Sequence, residues 1–409
     1  MLLRGATLID GSGADPVRSA SVRVEGEIIT AIGDRGRSDE TLDLEGCTLL
    51  PGLIDAHTHL GIAYDFSRAH AGEVSTAELA AAVFKNCALA LDSGFTTCRD
   101  LAGLDGGIAQ TIAKGMVRGP RILPSGPALA QDGGHGTFMP RWSDCYCPIA
   151  VPGLVEAITV CNGPDEVRLA ARKAFRRGAK QIKVFLSGGV VSLTDEIDDT
   201  QFTVEEVRAA VEEARSRKTY VTAHAHNNRA VRNGLAAGVS CFEHGSWLDE
   251  ETATAMAESS AALVPTLTIA RVMKRDYVAW GLPELVVPRI EQVEGHMASA
   301  VKIAGAAGLK VGSGSDLIGQ NQTDRGLELV LRAEIDGPLA AIVAATATNA
   351  KILGLGKQIG TVETGKLADL VAVRGNPLEE PALFGDPERV VLVMKGGVVE
   401  KDRRKGSCA

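Results

Sequence analysis

The chain has 409 residues, 45% hydrophobic but only 4% aromatic, with 46 glycines and a net charge of −8. That length allows two or three domains, and the apolar content excludes a disordered chain. No basic run makes a nucleic-acid footprint, Arg403-Arg404-Lys405 reading as a frayed tail, and no stretch reaches the about 18 apolar residues of a membrane span. The N-terminus lacks a signal-peptide apolar region, so a soluble cytoplasmic protein with no nucleic-acid or membrane partner is expected.

The first ~50 residues read as short strands at 3–9, 21–24 and 28–32, punctuated by glycine turns such as Asp10-Gly11-Ser12-Gly13. The last ~50 read alike, at 368–373 and 390–394. Neither end holds a core alone, so both are expected to pair into one small β-sandwich domain, residues 1–52 plus 355–409. Between them, short apolar runs alternate with helical stretches. The strand candidates are 53–57, 96–99, 121–124, 181–185, 220–224, 241–244, 262–265 and 310–313. Residues 204–217 carry acids early and bases late, as a helix dipole prefers. Residues 338–350 are uncharged, which fits a helix packed on a wall. Together these predict an α/β chain with a (β/α)8 TIM barrel over residues 53–354. A doubly wound sheet is the alternative.

The eight cysteines are too sparse for a disulfide scaffold. Cys98 and Cys241 sit in strand-like runs and are expected buried; Cys145-Tyr146-Cys147 is spaced too closely for a zinc knuckle and reads as a loop.

The histidines collect at predicted strand ends. His57 and His59 close the first strand, His224 and His226 the fifth, and His244 the sixth, while Asp316 follows the eighth. Strand side chains alternate with period two, so His57 and His59 face one side and can share one metal at about 2.0–2.1 Å. A pair that is only hydrogen-bonded is the bland alternative; donors from four strand ends argue against it. Lys183 lies in an apolar strand, where desolvating an ammonium is costly. It is either paired with Asp316 or Asp100, or neutralised and carboxylated. His70 and His296 fall in helix or loop and are expected exposed. Arg99-Asp100 ends the second strand, at the mouth or in a structural ion pair.

Leu49-Leu50-Pro51-Gly52-Leu53-Ile54-Asp55-Ala56-His57-Thr58-His59 resembles the first-strand motif of the metal-dependent amidohydrolase superfamily. The segments 183–190, 223–226, 243–245, 312–316 and the loop 131–136 are similar to its prolidase (Xaa-Pro dipeptidase) and imidazolonepropionase-like group. The resemblance spans essentially the whole chain. It implies two divalent metal ions, zinc in character: His57, His59 and Asp316 on one, His224 and His244 on the other. A CO2-derived carbamate on Lys183 and a hydroxide would bridge them. His226 would sit behind the ligands or face substrate. Mononuclear deaminases of the superfamily carry His-x-x-Glu after a middle strand; here His224 is followed by Asn227 and His226 by Arg229.

The implied reaction is amide hydrolysis, with Asp316 as general base and then acid, and His135 as donor to the developing oxyanion. Tyr220, sharing parity with His224, either holds a substrate carboxylate or packs. Expected substrates are small: dipeptides, Xaa-Pro among them, and N-acyl amino acids. Alternatives are cyclic amides and xenobiotic amides or carbamates, and a metal-free scaffold is the competing class. The resemblance suggests a homo-oligomer.

Overall fold

A computed structural model describes residues 1–33, 36, 38, 40–63, 73–137, 142, 150–319 and 321–404. His70, Cys145-Tyr146-Cys147 and Lys405 lie outside the described residues. Both chain ends meet in one eight-stranded sheet. Its seam is the strand Leu370–Arg374, which runs antiparallel to Cys47–Pro51, pairing Leu370 with Pro51 and Arg374 with Cys47. Leu3, Val22, Leu44, Leu370 and Leu392 from this sheet share one buried cluster.

The middle of the chain is parallel α/β. Seven strands pair in one sheet, among them Ile182–Phe185, Val221–Ala225, Cys241–His244, Ala262–Val264 and Lys310–Val311. Leu53–Thr58, Phe95–Asp100 and Arg121–Pro124 pair in another. Every pairing among these is parallel. The third predicted strand continues beyond its expected end. Arg121–Pro124 pairs with Phe95–Asp100, and Ala128–Ala130 then pairs with Ile182–Phe185. Pro124 and Pro127 bracket the break and deny it ladder donors. At the far seam, Ala56 N donates to Ser313 O (3.0 Å) and Asp316 N to His57 O (2.7 Å). A Cβ on Gly314 would meet His57 Cβ at 2.6 Å, so only glycine lets these strands approach so closely.

The helices cover this sheet through alanine-rich faces. Val204–Ser216 starts with a capping box between Thr203 and Glu206, and buries Val207, Ala210 and Ala214. The uncharged segment 338–350 is helical but not uniformly α. Between Pro338–Val343 and Asn349–Ile352 the turn Ala344–Thr348 is π. Inserted π turns often mark functional sites. This one leads to Asn349, whose Nδ2 donates to Ile54 O (2.7 Å) and Ser313 O (2.8 Å) across the seam. Cys98 and Cys241 are buried and free, as expected, and His296 is exposed. No helix among the described residues is long and apolar enough to cross a membrane.

Glu328 is buried on Leu327–Asp336. Its Oε2 accepts from Thr268 N (2.8 Å) and Oγ1 (2.9 Å), while Oε1 has no hydrogen-bond partner among the described residues. Burial pushes its carboxyl up to about 7. Between the ordinary value near 4.5 and about 7 the folded chain binds more protons than the unfolded one, so this group's contribution to stability falls as pH rises. Glu328→Gln should therefore gain on the wild type between pH 5 and pH 8, by an amount on the order of 3 kcal/mol. Urea unfolding at both pH values measures it.

Candidate metal centre

The strand ends place His57, His59, Lys183, His224, His226, His244 and Asp316 around one cavity, with His135 on its wall. His224 aligns with Glu243, and Phe185 with His224, in register across the sheet. Strand alternation would send Glu243 and His244 to opposite faces. His244 has φ 69°, and this left-handed turn swings its ring into the cavity. Thr266 (φ 54°) and Asp316 (φ 56°) adopt the same region at neighbouring strand ends. Such conformations cost about 1–3 kcal/mol each in non-glycine residues and cluster where a site demands them.

Each histidine is anchored by one ring nitrogen, which leaves the other for the cavity. His57 Nδ1 faces Glu243 Oε2 at 2.8 Å, and His59 Nδ1 faces Ala102 O at 3.0 Å. His224 Nε2 bonds Gly188 O (3.0 Å), leaving Nδ1; His244 Nδ1 bonds Thr266 Oγ1 (2.7 Å), leaving Nε2. A carbonyl or a carboxylate can only accept, so Nδ1 of His57 and His59 must carry N–H. Their Nε2 lone pairs then lie 3.3 Å apart. Asp316 Oδ1 sits 3.2 Å from the first and 2.9 Å from the second. Three acceptors this close repel one another unless a cation lies among them. Ligand atoms of His57, His244 and Asp316 fall within 4.8 Å of one another. The rings of His224 and His244 are 4.5 Å apart. The donor set thus fits divalent metal with nitrogen and oxygen ligands.

Lys183 is 1% exposed, with Nζ 5.9 Å from the Phe185 ring centre. Burial lowers its ammonium to about 8, although Glu243 and Asp316 pull the other way. A lysine near 8 has an appreciable neutral fraction, the form that reacts with CO2. Burial opposes ionisation of Asp316, and only positive charge beside it, His57 and then His59 when protonated, holds its carboxyl well below the usual range; with both rings neutral, that charge has to come from a cation among the three atoms.

His135 Nδ1 bonds Ser192 Oγ at 2.7 Å, and its ring stacks on His224 at 4.4 Å. Burial, then His226 and Lys183, lower it to about 3. His226 Nδ1 bonds Ser246 Oγ at 2.9 Å, and burial brings its ring to about 4. Both rings are neutral. The rest of the cavity wall is apolar. Ile269 and Met273 on Leu267–Asp276 face Ile290, Val293 and Met297 on Val286–Ala306, with Val190 and Val191 alongside.

Tyr220 is the exception among the expected residues. It precedes Val221–Ala225, at the opposite strand end from His224 and ~13 Å away at the usual rise per residue. Its hydroxyl bonds Arg99 Nη1 (3.1 Å), and the Arg99–Glu243 pair lies between it and the cavity. The shared parity with His224 is real, but it puts Tyr220 in the interior floor and not on the substrate wall. Arg99 likewise makes a structural ion pair and does not reach the mouth. Asp100 accepts from Leu60 N (2.8 Å) and Leu104 N (3.1 Å), fixing the turn after His59.

Sequence reasoning missed Glu243, Thr266, Ser192 and the Asp55–Arg325 pair. Glu243 carried the same signal as Lys183, a charge inside an apolar strand. Thr266 and Ser192 carried none beyond proximity to strand ends.

The Amidohydrolase family matches residues 48–399. Ochratoxinase from Aspergillus niger is 34% identical over 98% of this chain and 86% of its own length. A prolidase complexed with N-methylphosphonate-L-proline superposes with TM-score 0.91 at 35% identity, covering 98% of this chain and 99% of that one. A Xaa-Pro dipeptidase with bound methionine in the active site gives TM-score 0.87 at 32% identity, covering 97% and 98%. The chain belongs to the amidohydrolase family, and it is a hydrolytic enzyme acting on C–N bonds of amides.

The loop 188–192 clamps His135. A Cβ on Gly189 would meet His135 Cε1 at 2.2 Å and Nδ1 at 2.4 Å. Gly189→Ala should displace the ring and, if His135 is the oxyanion donor that the resemblance implies, lower kcat for amide hydrolysis roughly a hundredfold. Melting temperature should change little, because the displaced ring borders open cavity.

Proposed function

We propose that this protein is a binuclear metal-dependent amidohydrolase. The observation that carries the reading is the ring-by-ring anchoring of His57, His59, His224 and His244, whose free nitrogens converge with Asp316 and Lys183. His57, His59 and Asp316 would hold one ion, His224 and His244 the other, and Lys183, carboxylated by CO2, would span both. Zinc-like cations held by these residues would supply a lowered pKa for water and polarisation of a carbonyl. Asp316 takes the proton of the attacking water and returns it to the leaving amine. In the tautomer where Ser192 donates to Nδ1, His135 would carry its proton on Nε2 and could donate it to the carbonyl oxygen as it gains charge. His226 lines the space that the leaving group occupies. The two parallel sheets, hydrogen-bonded from Ser313 to Ala56, support a closed (β/α)8 barrel as the scaffold. The single cluster shared by distant strands of the terminal sheet supports its curling into a sandwich.

Dipeptides, including Xaa-Pro, and N-acyl amino acids are the proposed substrates, with a bulky apolar group against Met273 and Ile290. The same wall favours a second reading, an apolar xenobiotic amide, and one relative is an ochratoxinase by name. Metal analysis should find two divalent ions per chain, and Lys183→Ala should retain at most one. A panel of dipeptides, N-acyl amino acids, lactams and aryl carbamates should yield turnover of the bulky apolar amides. No turnover of any amide after reconstitution with zinc and bicarbonate would refute the enzyme reading. Met273→Asp should cut kcat/KM at least roughly tenfold for bulky apolar substrates and spare small ones, since a hydrophobic pocket discriminates by about 1–3 kcal/mol.

A further inference from the structure

Beneath the cavity floor lies a chain of buried charge that the proposed reaction does not use. Arg99 and Glu243 are both 0% exposed. Arg99 spends its donors on the interior: Nε to Ala56 O (2.5 Å), Nη1 to Tyr220 Oη (3.1 Å) and Cys241 Sγ (3.4 Å), and Nη2 to Glu243 Oε1 (2.7 Å). Thr222 Oγ1 and Cys241 Sγ also donate to Oε1. That oxygen is saturated, so Oε2 is left for His57 Nδ1 at 2.8 Å.

We infer that Glu243 is a positioning residue that keeps the proton of His57 on Nδ1, so that Nε2 stays bare toward the metal-binding space, with Arg99 locking the carboxylate from the far side. A carboxylate paired with a guanidinium accepts only, so the imidazole beside it must donate. A neutral imidazole has one N–H, and placing it on Nδ1 makes Nε2 the ligand atom. The carboxylate also raises the electron density of the ring, which strengthens a metal bond. Ala56 ties the two ends together. Its carbonyl receives Arg99, its amide bonds Ser313, and its peptide leads into His57, so the guanidinium sets the backbone as well as the ring of the same ligand.

The inference rests on the metal-binding reading, and its test separates the two. The whole protein is stripped with a chelator and titrated with Zn2+ against a chromophoric competitor, then with Co2+ to record its absorption bands. Glu243→Gln should weaken the tighter site by about 10–100-fold, because the amide NH2 either confronts Arg99 or turns to His57 and forces the proton onto Nε2. Glu243→Asp, which keeps the charge but withdraws it, should fall in between, with altered cobalt bands. A Glu243→Gln protein that melts lower without metal yet binds zinc within twofold of wild type would make Glu243 a purely structural residue and overturn the inference. Should that variant not fold, 15N-histidine NMR of the metal-free wild type at mildly alkaline pH decides: a protonated Nδ1 on His57 is expected, and a protonated Nε2 overturns the assignment. Failure of the wild type to take up zinc would instead count against the metal-binding reading, and the tautomer measurement would still judge Glu243.

Discussion

Two guanidinium–carboxylate pairs, sealed from water, hold up everything above them. Arg99 pairs with Glu243 and Arg325 with Asp55, and none of the four is more than 1% exposed. Burying such ions costs several kcal/mol each, which good geometry only partly offsets. Both pairs use that geometry on the same histidine. Glu243 takes the His57 ring, while Asp55 Oδ1 accepts the His57 amide (3.1 Å) and the Ser315 amide (3.0 Å). Asp55 thereby stitches the first strand to the turn that carries Asp316. Arg325 adds Thr58 Oγ1 (2.9 Å) and Gln322 Oε1 (2.5 Å), drawing in the next helical segment. Removing one partner would leave a lone charge in the dry interior, so the network stands or falls as a unit.

Above this base, the cavity sets polar atoms against apolar ones. Imidazoles, one lysine and one carboxylate occupy the floor, and branched aliphatics and methionine make the walls. The apolar wall excludes water and lowers the local dielectric, which strengthens every charge interaction within it. The same burial keeps His135 and His226 neutral and brings Lys183 into titrating range. One environment thus sets the protonation of the imidazoles and of the lysine together.

Much of this could be read in the amino-acid sequence. The His-x-His pairs, His244, Asp316 and the charged Lys183 stood out because each lies in, or just after, a strand that the apolar pattern marks. The pairing of the two chain ends followed from neither end having a core of its own. What escaped had physical causes. Tyr220 stayed open between substrate and packing because parity gives the face of a residue but not its depth, and a strand of five residues spans floor to rim. His244 and Asp316 depend on left-handed backbone, which neither residue announces. The π turn before Asn349 is one inserted residue in an alanine-rich run, with no local sign. The partners Ser192, Thr266 and Asp55 act across long sequence separations that no local pattern encodes.

The terminal sheet has a consequence for how the chain comes to be folded. Cys47–Pro51 leaves the ribosome early, but its antiparallel neighbour Leu370–Arg374 emerges more than 300 residues later. Until then one side of that strand is an unpaired edge, the kind of surface that invites pairing with another chain. Nearly the whole α/β core must be made while this edge waits. At about 5–20 residues per second the interval is tens of seconds, long against hydrophobic collapse. The strand also feeds directly into the one that carries His57. Newly made protein should therefore acquire its ligand geometry late, after the last strands dock, and chains truncated before residue 370 should aggregate rather than persist as a half-formed enzyme.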